Sequence, residues 1–114
     1  MDRKPPPLGE LLTPDVIQKL ALPSNYRYGK AIYTRRAIEF IEFSPLEVRA
    51  WIGGLDGSVS EGGSQRRRTQ IMSTSEGLQW HCAGNPKNHQ IFCKHCVALA
   101  MEIWDRSHPL NIKQ

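Results

Sequence analysis

The chain has 114 residues, of which 39% are hydrophobic and 23% are charged, and this composition indicates one small globular domain rather than a disordered chain. No apolar run approaches the roughly 18 residues that a membrane span requires, and Met1 to Pro7 lack the apolar core of a secretory signal, so we expect a cytoplasmic protein. The net charge of +4 is compatible with a nucleic-acid partner but is too small to require one.

The first predicted element is a short amphipathic helix. Thr13 is a good N-cap, Pro14 suits the first helical position, and Pro23 is expected to end the helix. Residues 24–29 are ambiguous, and the sequence is compatible with a second helical turn that enters residues 30–33.

The middle of the chain has the pattern of β-strands. Residues 38–43 are rich in β-branched and aromatic side chains, and residues 46–52 alternate apolar and polar side chains, which predicts two strands. After a Gly- and Ser-rich connection, residues 66–73 and 78–82 are predicted to form a third and a fourth strand. A turn at residues 75–77 would join these two as a hairpin.

The last predicted element is a helix that Pro109 ends. One stripe of this helix is apolar and consists of Cys96, Leu99, Ala100 and Ile103. The order of elements predicts an α+β fold, with a small antiparallel sheet of about four strands, a short N-terminal helix, and a loop leading into a C-terminal helix. We expect a disordered lead-in over residues 1–10, one domain over residues 11–105, and a tail over residues 106–114.

A zinc site is predicted where the fourth strand, the following loop and the last helix meet. The candidate ligands are Cys82, His89, Cys93 and His95. Three cysteines in a reducing compartment favour metal binding or core packing over disulfides, and mixed thiolate and imidazole ligands are common in structural zinc sites. His81 is expected to point away from the face that holds Cys82, and Cys96 is expected in the core. His81, Cys96 and water remain alternatives to His89 as the fourth ligand.

Two segments of the sequence resemble the SWIM zinc finger, whose usual pattern is C-x-C, a variable loop, and then C-x-H followed by a hydrophobic helix. Residues 93–100, Cys-Lys-His-Cys-Val-Ala-Leu-Ala, resemble the second half of this pattern, and residues 80–82, Trp-His-Cys, resemble the strand that leads into the first half. The resemblance covers about residues 11–105, and its specific signal is concentrated in residues 78–101.

The resemblance implies zinc ligands at three positions of this chain, and it fails at a fourth. The implied ligands are Cys82, Cys93 and His95. The second cysteine position of the pattern is occupied by Gly84, which has no ligand atom. The assignment of His89 as a ligand therefore comes from its own chemistry and place in the loop.

Five basic residues are candidate phosphate contacts. They are Arg66, Arg67, Arg68, Lys87 and Lys94. Successive arginines on a strand alternate between faces, so the run forms one patch only at a sheet edge, and solvated surface charge explains it equally well. Trp51 lies on the polar face of its strand and is a better candidate for a partner contact than Trp80 or Trp104, which we expect in the core.

The sequence favours a binding module over an enzyme. Residues 77–101 contain no acidic residue that could act as a general base beside a metal, and no nucleophile–base pair is evident, so no small-molecule substrate is expected. The resemblance implies binding to proteins or to DNA, because SWIM modules occur in chromatin-remodelling ATPases and transposases. We expect an adaptor that docks on a protein, such as a remodelling-type ATPase, through a sheet edge or Trp51. Binding of DNA or RNA through a diffuse basic surface is the alternative.

Overall fold

The structure is a computed structural model that describes residues 5–35, 38–53, 67–82 and 91–108. The elements within these ranges are α1 (Leu8–Leu11), α2 (Pro14–Leu20), α3 (Pro23–Thr34), β1 (Ile38–Phe43), β2 (Glu47–Ile52), β3 (Arg67–Thr74), β4 (Gly77–Cys82) and α4 (Lys94–Ser107). The predicted α+β fold is confirmed. None of these helices has both the length and the apolar character needed to cross a bilayer.

The four strands form an antiparallel meander in the order β1-β2-β3-β4. Val48, Ala50 and Ile52 of β2 are fully buried on one face of the sheet, which we call the inner face. Trp51, on the opposite or outer face, is 37% exposed, so the predicted alternation is confirmed. Leu46 is the exception, because it lies in the bend before β2 and is itself exposed.

The predicted hairpin of β3 and β4 is also confirmed. Its turn consists of Ser75 and Glu76, and Thr74 pairs with Gly77 on either side of them. The Thr74 hydroxyl accepts a hydrogen bond from the Glu76 N–H at 3.1 Å and donates one to the Gly77 carbonyl at 2.9 Å. Gly77 has φ = 109°, a backbone conformation that side-chain-bearing residues rarely adopt, so glycine is favoured at this position.

Helix α2 begins as predicted, whereas α3 is longer than predicted. The Val16 N–H donates to Thr13 Oγ1 at 3.2 Å, and Pro14 occupies the first turn. Pro23, expected only to end α2, also opens α3, a continuous helix of 12 residues. Proline is compatible with the first turn of a helix because its missing N–H has no intrahelical partner there, so it can separate two helices.

Helix α4 lies at the centre of the fold. It contacts β2, β3 and β4 on the inner face of the sheet and also contacts α1, α2 and α3. The predicted apolar stripe is buried, and Val97 and Ala98 beside it are also fully buried, so the helix is covered on more sides than an amphipathic stripe predicts. The helix includes Arg106 and Ser107, which were expected in the tail, and Arg106 forms an ion pair with Glu102 at 3.0 Å.

Part of the expected lead-in belongs to the folded domain, so its predicted boundary at residue 10 lies too late. Leu8 is fully buried in the core, and its N–H donates to the Pro45 carbonyl at 2.7 Å. The Ser73 hydroxyl donates to the Pro6 carbonyl at 2.6 Å. These contacts with the sheet hold the segment in place although its composition is typical of a disordered terminus.

Candidate metal centre

Three of the predicted ligands converge at one end of α4. Cys82 is the last residue of β4, Cys93 is the N-cap of α4, and His95 is the second residue of that helix. One ligand atom from each, the two Sγ atoms and a ring nitrogen, lie within 4.8 Å of one another. All three residues are buried, with exposed fractions of 3%, 3% and 8%. The cluster could therefore hold a metal ion.

Two distances within the cluster are compatible with ligands of one tetrahedral metal ion. His95 Nδ1 lies 3.5 Å from Cys82 Sγ and 3.8 Å from Cys93 Sγ. Zinc–sulfur bonds of about 2.3 Å and zinc–nitrogen bonds of about 2.0–2.1 Å, at a tetrahedral angle, separate the two ligand atoms by about 3.6 Å. The observed spacing thus suits a shared metal without a rearrangement of the backbone.

The hairpin fixes the position of Cys82 and adds a polar neighbour. Cys82 lies on the inner face opposite Thr69, and the fully buried Thr69 hydroxyl donates to Cys82 Sγ at 3.7 Å. A hydroxyl that hydrogen-bonds a thiolate ligand helps to orient it. Thr69 was not among the predicted site residues, although counting outward from the turn would have placed it opposite Cys82.

The start of α4 favours a thiolate at Cys93. Hydrogen bonds from the Cys82 and Cys96 thiols lower the pKa of Cys93. The positive end of the helix dipole acts in the same direction. By contrast, the hydrogen bond to Cys93 and burial raise the pKa of Cys96. Cys93 is therefore the stronger candidate for a metal ligand, and Cys96 is expected to remain a thiol.

The other candidates for the fourth ligand differ in position. Cys96 is fully buried, and its Sγ lies 3.9 Å from Cys93 Sγ, but among the described residues it is not part of the three-residue cluster. His81 is exposed on the outer face, where it lines a shallow depression beside Arg68 and Gln70. His89 lies outside the described residues, as does Gly84.

An aromatic contact joins the two segments that carry the thiols. The rings of Trp80 and Phe92 meet edge to face, with centroids 5.0 Å apart at an angle of 87°. Trp80 lies two residues before Cys82, and the nearly fully buried Phe92 directly precedes Cys93. Such aromatic pairs contribute about 0.5–1.5 kcal/mol beyond the area that they bury. This contact therefore helps to hold the two thiols near each other.

The basic candidates do not form one surface among the described residues. Arg68 is exposed on the outer face of the sheet, whereas Lys94 belongs to α4, which lies against the inner face. Arg66 and Lys87 lie outside the described residues, and Arg67 is described only as part of β3.

The outer face also carries two acidic side chains beside the guanidinium group of Arg49. Arg49 forms an ion pair with Glu42, and its Nε lies 3.6 Å from the Glu47 carboxylate. The hydrogen bond and charge of Glu42 raise the pKa of Arg49. The positive charge of Arg49 is thus already balanced, which makes this face less attractive to a polyanion.

The chain matches no protein-family model, no curated protein and no solved structure. The resemblance to SWIM zinc fingers therefore depends on the residues of the motif alone.

Proposed function

We propose that this chain is a non-catalytic, SWIM-like zinc-binding module in which Cys82, His89, Cys93 and His95 hold one zinc ion. The buried cluster of two thiols and one imidazole, with spacing suited to tetrahedral zinc, supports this proposal. The ion would join the end of β4 to the start of α4. A reducing compartment such as the cytoplasm would keep the thiols available as ligands.

A structural zinc site fits this chain better than a catalytic one. Catalytic zinc keeps a coordination position open for water and works with a nearby base. The sequence offers His89 as a fourth protein ligand, and residues 77–101 contain no carboxylate that could act as that base. The proposed role of the ion is to make a rigid binding surface.

The zinc proposal predicts one zinc ion per chain in the reduced, purified protein, measured by elemental analysis. His89→Ala should weaken zinc affinity more than about 100-fold in chelator competition, because loss of even an outer-shell partner costs about 10–100-fold. Gly84→Cys in the His89→Ala background should restore tight binding by supplying the second cysteine of the family pattern.

His81→Ala is the matched control for this experiment, because it removes an imidazole that lies on the outer face. It should leave zinc affinity unchanged. If His89→Ala binds zinc like the wild type while Cys96→Ala does not, Cys96 is the fourth ligand and the assignment of His89 is wrong. A reduced chain that binds no zinc contradicts the whole site.

We further propose that the module acts as an adaptor that docks on a protein, such as a remodelling-type ATPase. Two observations support a protein partner over a nucleic acid. The outer face exposes Trp51, and aromatic side chains are enriched at protein interfaces. The described cations Arg68 and Lys94 lie on opposite sides of the sheet, so they cannot follow one phosphate backbone.

The docking proposal predicts that a partner captured from a lysate stays bound after nuclease treatment, and that Trp51→Ala reduces its capture. Gln79→Ala, an exposed change on β4, serves as the control. Nucleic-acid binding is the alternative, because Arg68 on β3 is the cross-strand neighbour of Trp51 on β2. Affinity for single-stranded DNA or RNA that falls steeply with salt and is lost in Arg68→Ala would favour that alternative.

A further inference from the structure

A small cavity lies between α2, α3 and α4, remote from the candidate metal centre. Its volume is about 170 Å³, and its lining includes Ile17, Tyr26, Tyr33, Met101, Trp104 and Asp105. Asp105 lies ten positions after His95 in α4, which corresponds to about 15 Å along the helix axis. The cavity is therefore independent of the zinc proposal.

We propose that this cavity is an aromatic cage that binds a methylated ammonium group. Tyr26, Tyr33 and Trp104 contribute three aromatic rings to its lining, and each of these residues is only partly buried. The face of an aromatic ring attracts a cation through its quadrupole, and several rings around one site are the usual means of binding quaternary ammonium groups.

The ring of Trp104 is held in a defined orientation. It stacks on the His108 ring with centroids 3.8 Å apart and an angle of 29° between the planes. His108 Nδ1 also lies 3.0 Å from the Trp104 carbonyl oxygen, which fixes the position of the stacked imidazole. An oriented ring loses little conformational freedom on binding, so it favours affinity for a small ligand.

A carboxylate supplies the complementary charge. Asp105 lines the cavity, is exposed, and forms no ion pair within the described part of the chain. The next residue, Arg106, does not neutralise it, because its guanidinium binds Glu102 and lies 4.6 Å from the centroid of the Phe40 ring. The site thus combines aromatic side chains with one carboxylate that has no ion-pair partner among the described residues.

The size and lining of the cavity favour a methylated cation over a simple ammonium ion. A volume of about 170 Å³ leaves room for a tetramethylammonium ion, which has five heavy atoms. An unmethylated ammonium group has N–H donors, and any donor that faces Ile17, Met101 or an aromatic ring instead of Asp105 or a tyrosine hydroxyl would lack an acceptor there. A quaternary ammonium group has no such donors.

The proposal is tested by titrating the full-length chain, as purified, with choline and with 3,3-dimethylbutan-1-ol, its neutral carbon isostere, while amide and indole NMR signals are recorded. Choline should bind at least about tenfold more tightly than the isostere and shift the Trp104 indole signal. Asp105→Asn, an exposed change, should weaken choline binding several-fold, and Tyr33→Leu should weaken it further. Trp51→Leu, which removes a tryptophan on the outer face, should have no effect.

Equal binding of choline and its isostere would overturn the proposal, because the cavity would then be a simple apolar site. Absence of binding by choline at millimolar concentration would overturn it as well. Because Tyr33→Leu can disturb packing against the core, Asp105→Asn provides the test that does not depend on folding. The source of the methylated group is then identified by comparing the affinities of three ligands. A trimethyllysine peptide represents a protein, free choline represents a metabolite, and phosphatidylcholine vesicles represent a membrane.

Discussion

Replacing Cys93 with serine is expected to release the proposed zinc ion and to unfold at least the C-terminal half of the domain. Zinc in small Cys/His sites contributes an apparent free energy of about 10–16 kcal/mol, whereas a whole small domain is stable by only about 5–15 kcal/mol. Cys93 caps the helix that contacts both the sheet and the other helices. Loss of the ion there should therefore abolish the cooperative thermal transition followed by circular dichroism.

Cys96→Ala is the matched control for this prediction. It also removes a buried sulfur atom, only three residues along the chain, but from a residue outside the three-residue cluster. The small cavity that it creates should lower the free energy of unfolding by about 1–2 kcal/mol and leave the zinc content unchanged. Addition of a strong chelator to the wild-type protein should have the same effect as the Cys93→Ser substitution. An unchanged melting curve in chelator would show that no structural metal is present.

Replacing Gly29 with alanine is expected to destabilise the protein even though alanine is the better helix former. Gly29 lies in α3 where this helix meets the first turn of α4. An added Cβ would lie 2.7 Å from the Lys94 carbonyl oxygen and still closer to the side chain of Val97. The overpacking costs about 1–3 kcal/mol. For a domain of this size, each kcal/mol corresponds to a fall in Tm of roughly 4–8 °C.

The same substitution should also weaken zinc binding, because Lys94 lies between the ligands Cys93 and His95 proposed above. A shift in the first turn of α4 would change the distance between Cys82 Sγ and His95 Nδ1. Lys30→Ala, an exposed change next to Gly29, is the control and should alter neither property. If Gly29→Ala raises Tm, as helix propensity alone predicts, the close approach of α3 and α4 is not present in solution.

The sheet was predictable from the sequence because its signals are local. Alternating side chains marked β2, and the turn before Gly77 defined the hairpin that carries Cys82. The convergence of Cys82, Cys93 and His95 was predictable because a strand end and a helix start limit where each ligand can point.

Helices α1 and α3 were not predictable in the same way, because tertiary contacts determine them. Leu8 lies among prolines and glycine, and only its burial against the sheet and α4 orders that segment. Helix α3 contains few apolar residues, and much of its packing depends on Gly29, a residue that usually indicates a break in a helix. Thr69 could have been found as the neighbour of Cys82 by counting outward from the turn, provided that Thr74 is taken to pair with Gly77.

The central position of α4 also has a consequence for biosynthesis. Strands β2, β3 and β4 and the other three described helices all precede α4 in the chain, yet each of them contacts this helix. A ribosome therefore releases the sheet and the early helices before the element that covers them has been made. The nascent chain must keep these surfaces from aggregating until α4 emerges, so this fold cannot be completed before α4 has left the ribosome.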